Sequence, residues 1–180
     1  FLQGKNQVAF LEVAQRFRHI YTIAKNKVEG LFALIDEIAA RGEKVIIYIK
    51  YLDEIRFFKE CGKLKRGKYV VLSGRCNKRK AVKLFAQRID IMFSTYGVDS
   101  QGLDLCNCNN IIYFSQTFDY KSKLQCMHNV YQSHTGRSIN IYNLWINTGL
   151  DKLIKQNLSR KKNVLSNVCR MISREEALAL

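Results

Sequence analysis

At 180 residues the chain fits one domain of ordinary size and leaves no room for two large ones. About 47% of it is apolar, which supplies a packed core and excludes a disordered chain, yet the longest uninterrupted apolar stretches run five residues, as Val45 to Ile49 does, against the ~20 of a membrane span. Lys and Arg number 30 against 15 acidic residues, a formal +15, and Arg41 to Arg88 alone holds 15 basic residues against four acidic ones. A single-sign field this dense points to a polyanionic partner, most often nucleic acid; a solubilising surface or a face that docks an acidic domain would produce the same charge.

No N-terminal pattern of positive flank, apolar run and small-residue cleavage site is present, so no secretory signal is expected in these residues. A chain that opens on Phe1 is expected to be a piece of a longer protein. The six cysteines (61, 76, 106, 108, 126, 169) include no CxxC pair, and the three histidines are scattered, so no zinc-ligand spacing arises and no metal site is expected. Reduced, mostly buried thiols in a cytoplasmic protein are the reading these positions favour over disulfides.

In chain order, residues 1–43 are expected to form a helical lead-in, in which Val28 to Ala40 carries Leu31, Leu34, Ile35 and Ile38 on one face and ends before Gly42. Five short β-branched runs follow: Lys44 to Ile49, Tyr69 to Leu72, Ile89 to Ser94, Asn110 to Ser115 and Ile139 to Leu144. Most are near-continuously apolar, as strands buried on both faces are. Between them lie helical stripes of Leu52, Ile55 and Phe58, then Ala81, Val82, Leu84 and Phe85, then Leu124, Met127 and Tyr131. This order predicts an α/β fold with a parallel sheet over 44–150 and helices on both faces. Residues 151–180 are expected to be a helical extension packed on that domain. Proline is absent, and nothing marks a flexible linker.

Function in an open parallel sheet gathers in the loops beyond the strand C-termini. Here those loops hold Lys50, the Ser73-Gly74-Arg75 turn, and Ser94-Thr95 with the residues that follow. A hydroxyl, a glycine and a cation ahead of a helix suit phosphate oxygens, although Ser and Gly are equally expected there as helix caps. A complete ATPase is not expected, because no GxxxxGK[ST] follows a strand: Gly62 and Gly67-Lys68 have the spacing but precede one and continue with Tyr69. No Ser-His-Asp or Cys-His arrangement emerges from His19, His128 and His134, which sit on unrelated segments.

From Lys44 to about Leu165 the order of motifs resembles the second RecA-like lobe of superfamily-two helicases, most closely the Swi/Snf-type translocases of phages and prophages. Lys44-Val-Ile-Ile-Tyr-Ile resembles motif IV, and Leu72-Ser-Gly with Arg79-Lys-Ala-Val-Lys-Leu-Phe resembles the strand–glycine–helix block that follows it. Ser94-Thr-Tyr-Gly-Val-Asp-Ser-Gln-Gly-Leu-Asp-Leu resembles motif V, and Asn110-Ile-Ile-Tyr-Phe-Ser, Phe118-Asp and Gln125 lead towards motif VI. The resemblance implies the C-terminal motor lobe of an ATP-dependent helicase or translocase. ATP and Mg²⁺ would be bound mainly by an N-terminal RecA-like lobe carrying the Walker lysine, and the present residues alone would not hydrolyse ATP. Gln101, Gly102, Asp104 and Gln125 would then face ATP, and Lys50, Ser73, Gly74, Arg75, Ser94 and Thr95 would hold the backbone of nucleic acid, DNA in the nearest relatives.

Motif VI departs from the family's Gln-x-x-x-Arg-x-x-Arg-x-Gly-Gln. Counting from Gln125 puts Asn129 and Gln132 at the arginine positions, and Gly136-Arg137 arrives two residues late. Asn and Gln cannot supply the positive charge that an arginine finger brings to a transferring phosphate. Two outcomes are open: Arg137 takes that catalytic role through a shifted loop, or the lobe has lost fast hydrolysis and serves as a basic binding or docking module. An unrelated doubly wound fold using the same loops for a small ligand is a third reading.

Overall fold

The computed structural model describes residues 23–98, 105, 108–117, 119–131, 138–146, 152, 155–156 and 158–160. Its elements are α1 (Lys25–Ala40), β1 (Lys44–Ile49), α2 (Leu52–Glu60), β2 (Tyr69–Leu72), α3 (Lys78–Gln87), β3 (Ile91–Thr95), β4 (Cys108–Tyr113), α4 (Tyr120–Tyr131) and β5 (Asn140–Asn143). The strands form one sheet in the order β2-β3-β1-β4-β5, and every pairing is parallel.

The sheet is buried from both sides, and alternation along β1 shows how. Val45, Ile47 and Ile49 join Leu31, Ile35, Ile38, Ile55 and Phe58 in the cluster under α1 and α2. Ile46 and Tyr48 join Ala81, Val82, Phe85, Cys126 and Val130 in the cluster under α3 and α4. A strand with two apolar faces must read as a continuous apolar run, which is why Lys44–Ile49 stands out in the sequence.

Glycine ends the first two helices by one mechanism. Gly42 (φ 68°) sends its N–H to the Ala39 carbonyl at 2.9 Å, and Glu43 sends its own to Ile38 at 3.3 Å. Gly62 (φ 66°) repeats this, with Gly62 bonding Lys59 at 2.9 Å and Lys63 bonding Phe58 at 3.0 Å. Both are Schellman closures, which need a left-handed residue and so favour glycine. At the start of α3, the Asn77 side chain accepts the Lys80 N–H at 3.0 Å, as an N-cap should.

Two helical stripes differ from their sequence reading. In α2 the inward residues are Glu54, Ile55 and Phe58, while Leu52 is 43% exposed in the first turn. In α4 the inward face is Cys126, Asn129 and Val130, and Tyr131 is 64% exposed. In α2 the expected stripe holds at Ile55 and Phe58 and misses only at Leu52, whereas in α4, which carries apolar residues on more than one face, periodicity alone selects the wrong stripe. Among the described residues, no helix is long and apolar enough to cross a membrane.

Candidate nucleic-acid interface

The loops following the five strands share one edge because parallel strands all end on the same side. Register aligns Leu72 with Ser94, Ser94 with Tyr48, Tyr48 with Tyr113, and Tyr113 with Asn143. Ser73, Thr95 and Ile49-Lys50 therefore follow neighbouring positions on three adjacent strands. Gly74 and Arg75 are exposed, Lys50 and Thr95 half-buried, and Ser73 and Ser94 buried. The buried serines engage their own chain: the Ser73 N–H meets Cys76 Sγ at 3.2 Å, the Ser73 carbonyl accepts the Cys76 N–H at 3.2 Å, and Ser94 Oγ–H donates to the Thr95 carbonyl at 3.4 Å. Their burial fixes the turns, leaving Gly74 and Arg75 as the exposed members. Gln125 is half-buried on α4. Gln101, Gly102, Asp104 and Arg137 lie outside the described residues, and so does most of the motif V loop.

A field of cations covers the β2 side of the sheet. Arg75 follows β2 and Arg79 and Lys80 open α3 beside this edge, with Lys83 further along the helix, whereas Lys63, Lys65, Arg66 and Lys68 lead into β2 at the opposite end of the strands; all are exposed. None of them takes part in the ion pairs among the described residues, which are Lys25–Glu29, Arg41–Glu37, Arg41–Glu43, Lys44–Asp90 and Arg56–Asp53. Part of the field also protects β2, an edge strand that would otherwise invite pairing with another chain. Lys44 is different. Its ammonium donates to the carbonyls of Phe85 (2.8 Å) and Ile89 (3.0 Å) and to Asp90 Oδ1 (2.9 Å), and so closes the exit of α3.

Beneath the edge, three tyrosines stack. Ring centroids are 5.7 Å apart for Tyr48–Tyr96, 5.5 Å for Tyr48–Tyr113 and 6.2 Å for Tyr96–Tyr113. Each hydroxyl donates to a carbonyl: Tyr48 to Cys126 (3.2 Å), Tyr113 to Lys123 (3.2 Å) and Tyr96 to Ser115 (2.7 Å). The turn after β3 is thereby tied to the start of the β4–α4 connection, and the sheet is tied to α4.

Two further groups escaped sequence reasoning. Glu54 is fully buried, with Oε2 accepting the Ser115 Oγ–H at 2.5 Å. Burial raises its pKa to about 7, against the opposing pull of the Ser115 hydroxyl, the Lys27 ammonium and the N–H groups of Lys50 and Tyr51. Its position four residues before Phe58 was the available signal, since i and i+4 share a helical face. The second is Lys123, whose ammonium lies 4.4 Å from the Tyr113 ring centre and 5.7 Å from that of Trp145, donating to Asn143 Oδ1 at 2.6 Å and Gln116 Oε1 at 3.3 Å. Burial lowers its pKa to about 8. It borders a cavity of about 380 Å³ that Tyr120, Met127, Ile141 and Leu158 also line.

Among the described residues the thiols of Cys61, Cys76, Cys108 and Cys126 are free, and no group of His, Cys, Asp and Glu is placed to hold a metal ion. His128 is exposed. Burial pushes the Cys108 and Cys126 thiols up to about 12, which makes them inert structural thiols.

No protein-family model matches the chain, and no curated protein matches it. Among solved structures it is similar to the crystal structure of the C-terminal part of the Fun30 ATPase domain, with a TM-score of 0.67 at 20% identity over 76% of this chain. The chain spans 46% of that structure's length. The fold is therefore RecA-like: a five-stranded, all-parallel sheet between helices, as in an ATPase-domain lobe.

Proposed function

We propose that the chain is the C-terminal motor lobe of an ATP-dependent helicase or translocase, gripping the nucleic-acid backbone with loops at the strand C-termini. The observation that carries this is the convergence of Lys50, Gly74-Arg75 and Thr95 on one edge of a RecA-like sheet, with Arg79 and Lys80 exposed beside it at the start of α3. In this reading the partner is nucleic acid, DNA by the Swi/Snf resemblance, and an N-terminal RecA-like lobe binds ATP and Mg²⁺. Gln101, Gly102, Asp104 and Gln125 face ATP across the cleft. Its closing and opening move the lobes along the strand.

The grip is tested by salt. Binding should be indifferent to base sequence and steeply salt-dependent. Replacing Arg75, Arg79 and Lys80 by Ala should flatten the slope of log K against log salt by roughly one unit per lost phosphate contact. An unchanged slope would place the contact elsewhere.

A specific observation favours a second reading, in which the lobe binds without fast turnover. Asn129, at the position of the first motif VI arginine, belongs to the buried face of α4 beside Cys126 and Val130. An arginine there would be desolvated, so the departure from the family pattern is built into the packing. Arg137 decides between the two readings. If it serves as the finger, Arg137→Ala in the intact protein should lower nucleic-acid-stimulated hydrolysis about a hundredfold or more, and Arg137→Lys should restore only part. Unchanged hydrolysis in Arg137→Ala would remove Arg137 from the mechanism.

A further inference from the structure

Ser115, 1% exposed just beyond β4, is hydrogen-bonded in three directions. Its N–H donates to the Tyr48 carbonyl at 3.3 Å, its carbonyl accepts the Tyr96 hydroxyl at 2.7 Å, and its Oγ–H donates to Glu54 Oε2 at 2.5 Å. These partners sit at the end of β1, in the turn after β3, and in the first turn of α2 directly behind Lys50-Tyr51. One serine thus joins the segments that follow three adjacent strands, β3, β1 and β4.

The carboxylate in this junction is costly. Glu54 is fully buried, and its Oε1 accepts no hydrogen bond of good geometry. The groups facing it are the Lys27 ammonium from α1, the N–H groups of Lys50 and Tyr51 from the loop, and the Ser115 hydroxyl from beyond β4. An apolar side chain of similar size would fill such a place with more stability, so a buried polar group here adds geometry rather than stability. The segments it fixes are those that carry Lys50 and Thr95.

We propose that Glu54 is a positioning residue: through Ser115 it locks the loops after β1, β3 and β4 into one arrangement, so that Lys50 and Thr95 meet the phosphate backbone together. The role rests on the nucleic-acid reading above. The lock itself needs only an acceptor at position 54, a hydroxyl at 115 and a phenol at 96. Glu54→Gln keeps the acceptor for Ser115 Oγ–H. Glu54→Ala and Ser115→Ala remove one bond, and Tyr96→Phe removes another.

The test uses the intact protein with labelled single- and double-stranded oligonucleotides at fixed salt, together with amide hydrogen exchange over 94–97 and 114–117. Losing one buried hydrogen bond is expected to weaken oligonucleotide affinity about fivefold in Ser115→Ala and Glu54→Ala, with faster exchange in both segments. Tyr96→Phe should speed exchange in the same two segments, and Glu54→Gln should keep the parent's affinity with exchange no faster than the parent's. Parental affinity and exchange in Ser115→Ala would overturn the lock, as would a Glu54→Gln variant as impaired as Glu54→Ala. If Glu54→Ala does not fold, Ser115→Ala and Tyr96→Phe carry the test. If the parent binds no oligonucleotide, the nucleic-acid reading fails, and exchange alone judges the lock: acceleration in both segments upholds it, and acceleration confined to 114–117 refutes it.

Discussion

Glu54→Gln is expected to stabilise the fold at pH 8 by about 3 kcal/mol and to abolish most of the stability change between pH 4.5 and 7. The sign follows from where the proton resides. Burial raises the Glu54 pKa from 4.5 to about 7. Within that window the native state keeps a proton that the unfolded chain has released, so stability falls as pH rises. Above the window both states are ionised, and the native state bears the full cost of a charge held away from water. Glutamine keeps the acceptor that Ser115 uses and carries no charge. Urea midpoints at pH 5 and pH 8 measure this directly. A Gln variant less stable than the parent at pH 8 would mean that the Lys27 ammonium compensates the buried charge.

Phe58→Ala should cost about 4 kcal/mol, a large fraction of the stability of a domain this size. Phe58 is fully buried on α2, and its ring meets Phe32 at 5.6 Å, Phe114 at 5.2 Å and Phe93 at 5.9 Å. Two of these contacts are edge-to-face, which adds to the area buried. Truncation empties the point where α1, α2, β3 and the end of β4 meet, and a close-packed surround relaxes into such a space only in part. Phe58→Leu should retain much of the volume and cost about 1–2 kcal/mol. Denaturant midpoints at an unchanged m-value report both losses.

Much of this architecture was legible in the residues because its central strands β1, β3 and β4 are buried on both faces. Lys44–Ile49 and Tyr69–Leu72 match their apolar runs end to end. The misplacements have local causes. Ile89 reads as strand, but its N–H still bonds Leu84 at 3.1 Å and its carbonyl is held by Lys44, so it belongs to the exit of α3 and β3 begins at Ile91. The start of β4 at Cys108 was hidden in a polar stretch, where a register shift pairs Lys44 with Cys108 but Val45 with Asn110. The edge that gathers Lys50, Ser73 and Thr95 followed from topology alone. The Glu54–Ser115 pair did not, because it joins residues 61 apart in the chain, and a single sequence records no such partnership.

Strand order also sets a schedule for folding. The pairings among β1, β2 and β3 all fall within residues 44–95, whereas β1 must find β4 at 108–113 before its second side is covered. Contacts nearer in sequence close sooner, and distant parallel pairings are slow. In the interval, the most β-branched strand of the protein has one row of unpaired N–H and C=O groups, a template for another copy of the same strand. The central position that protects β1 in the finished sheet makes it the segment most open to self-association while the chain is still folding.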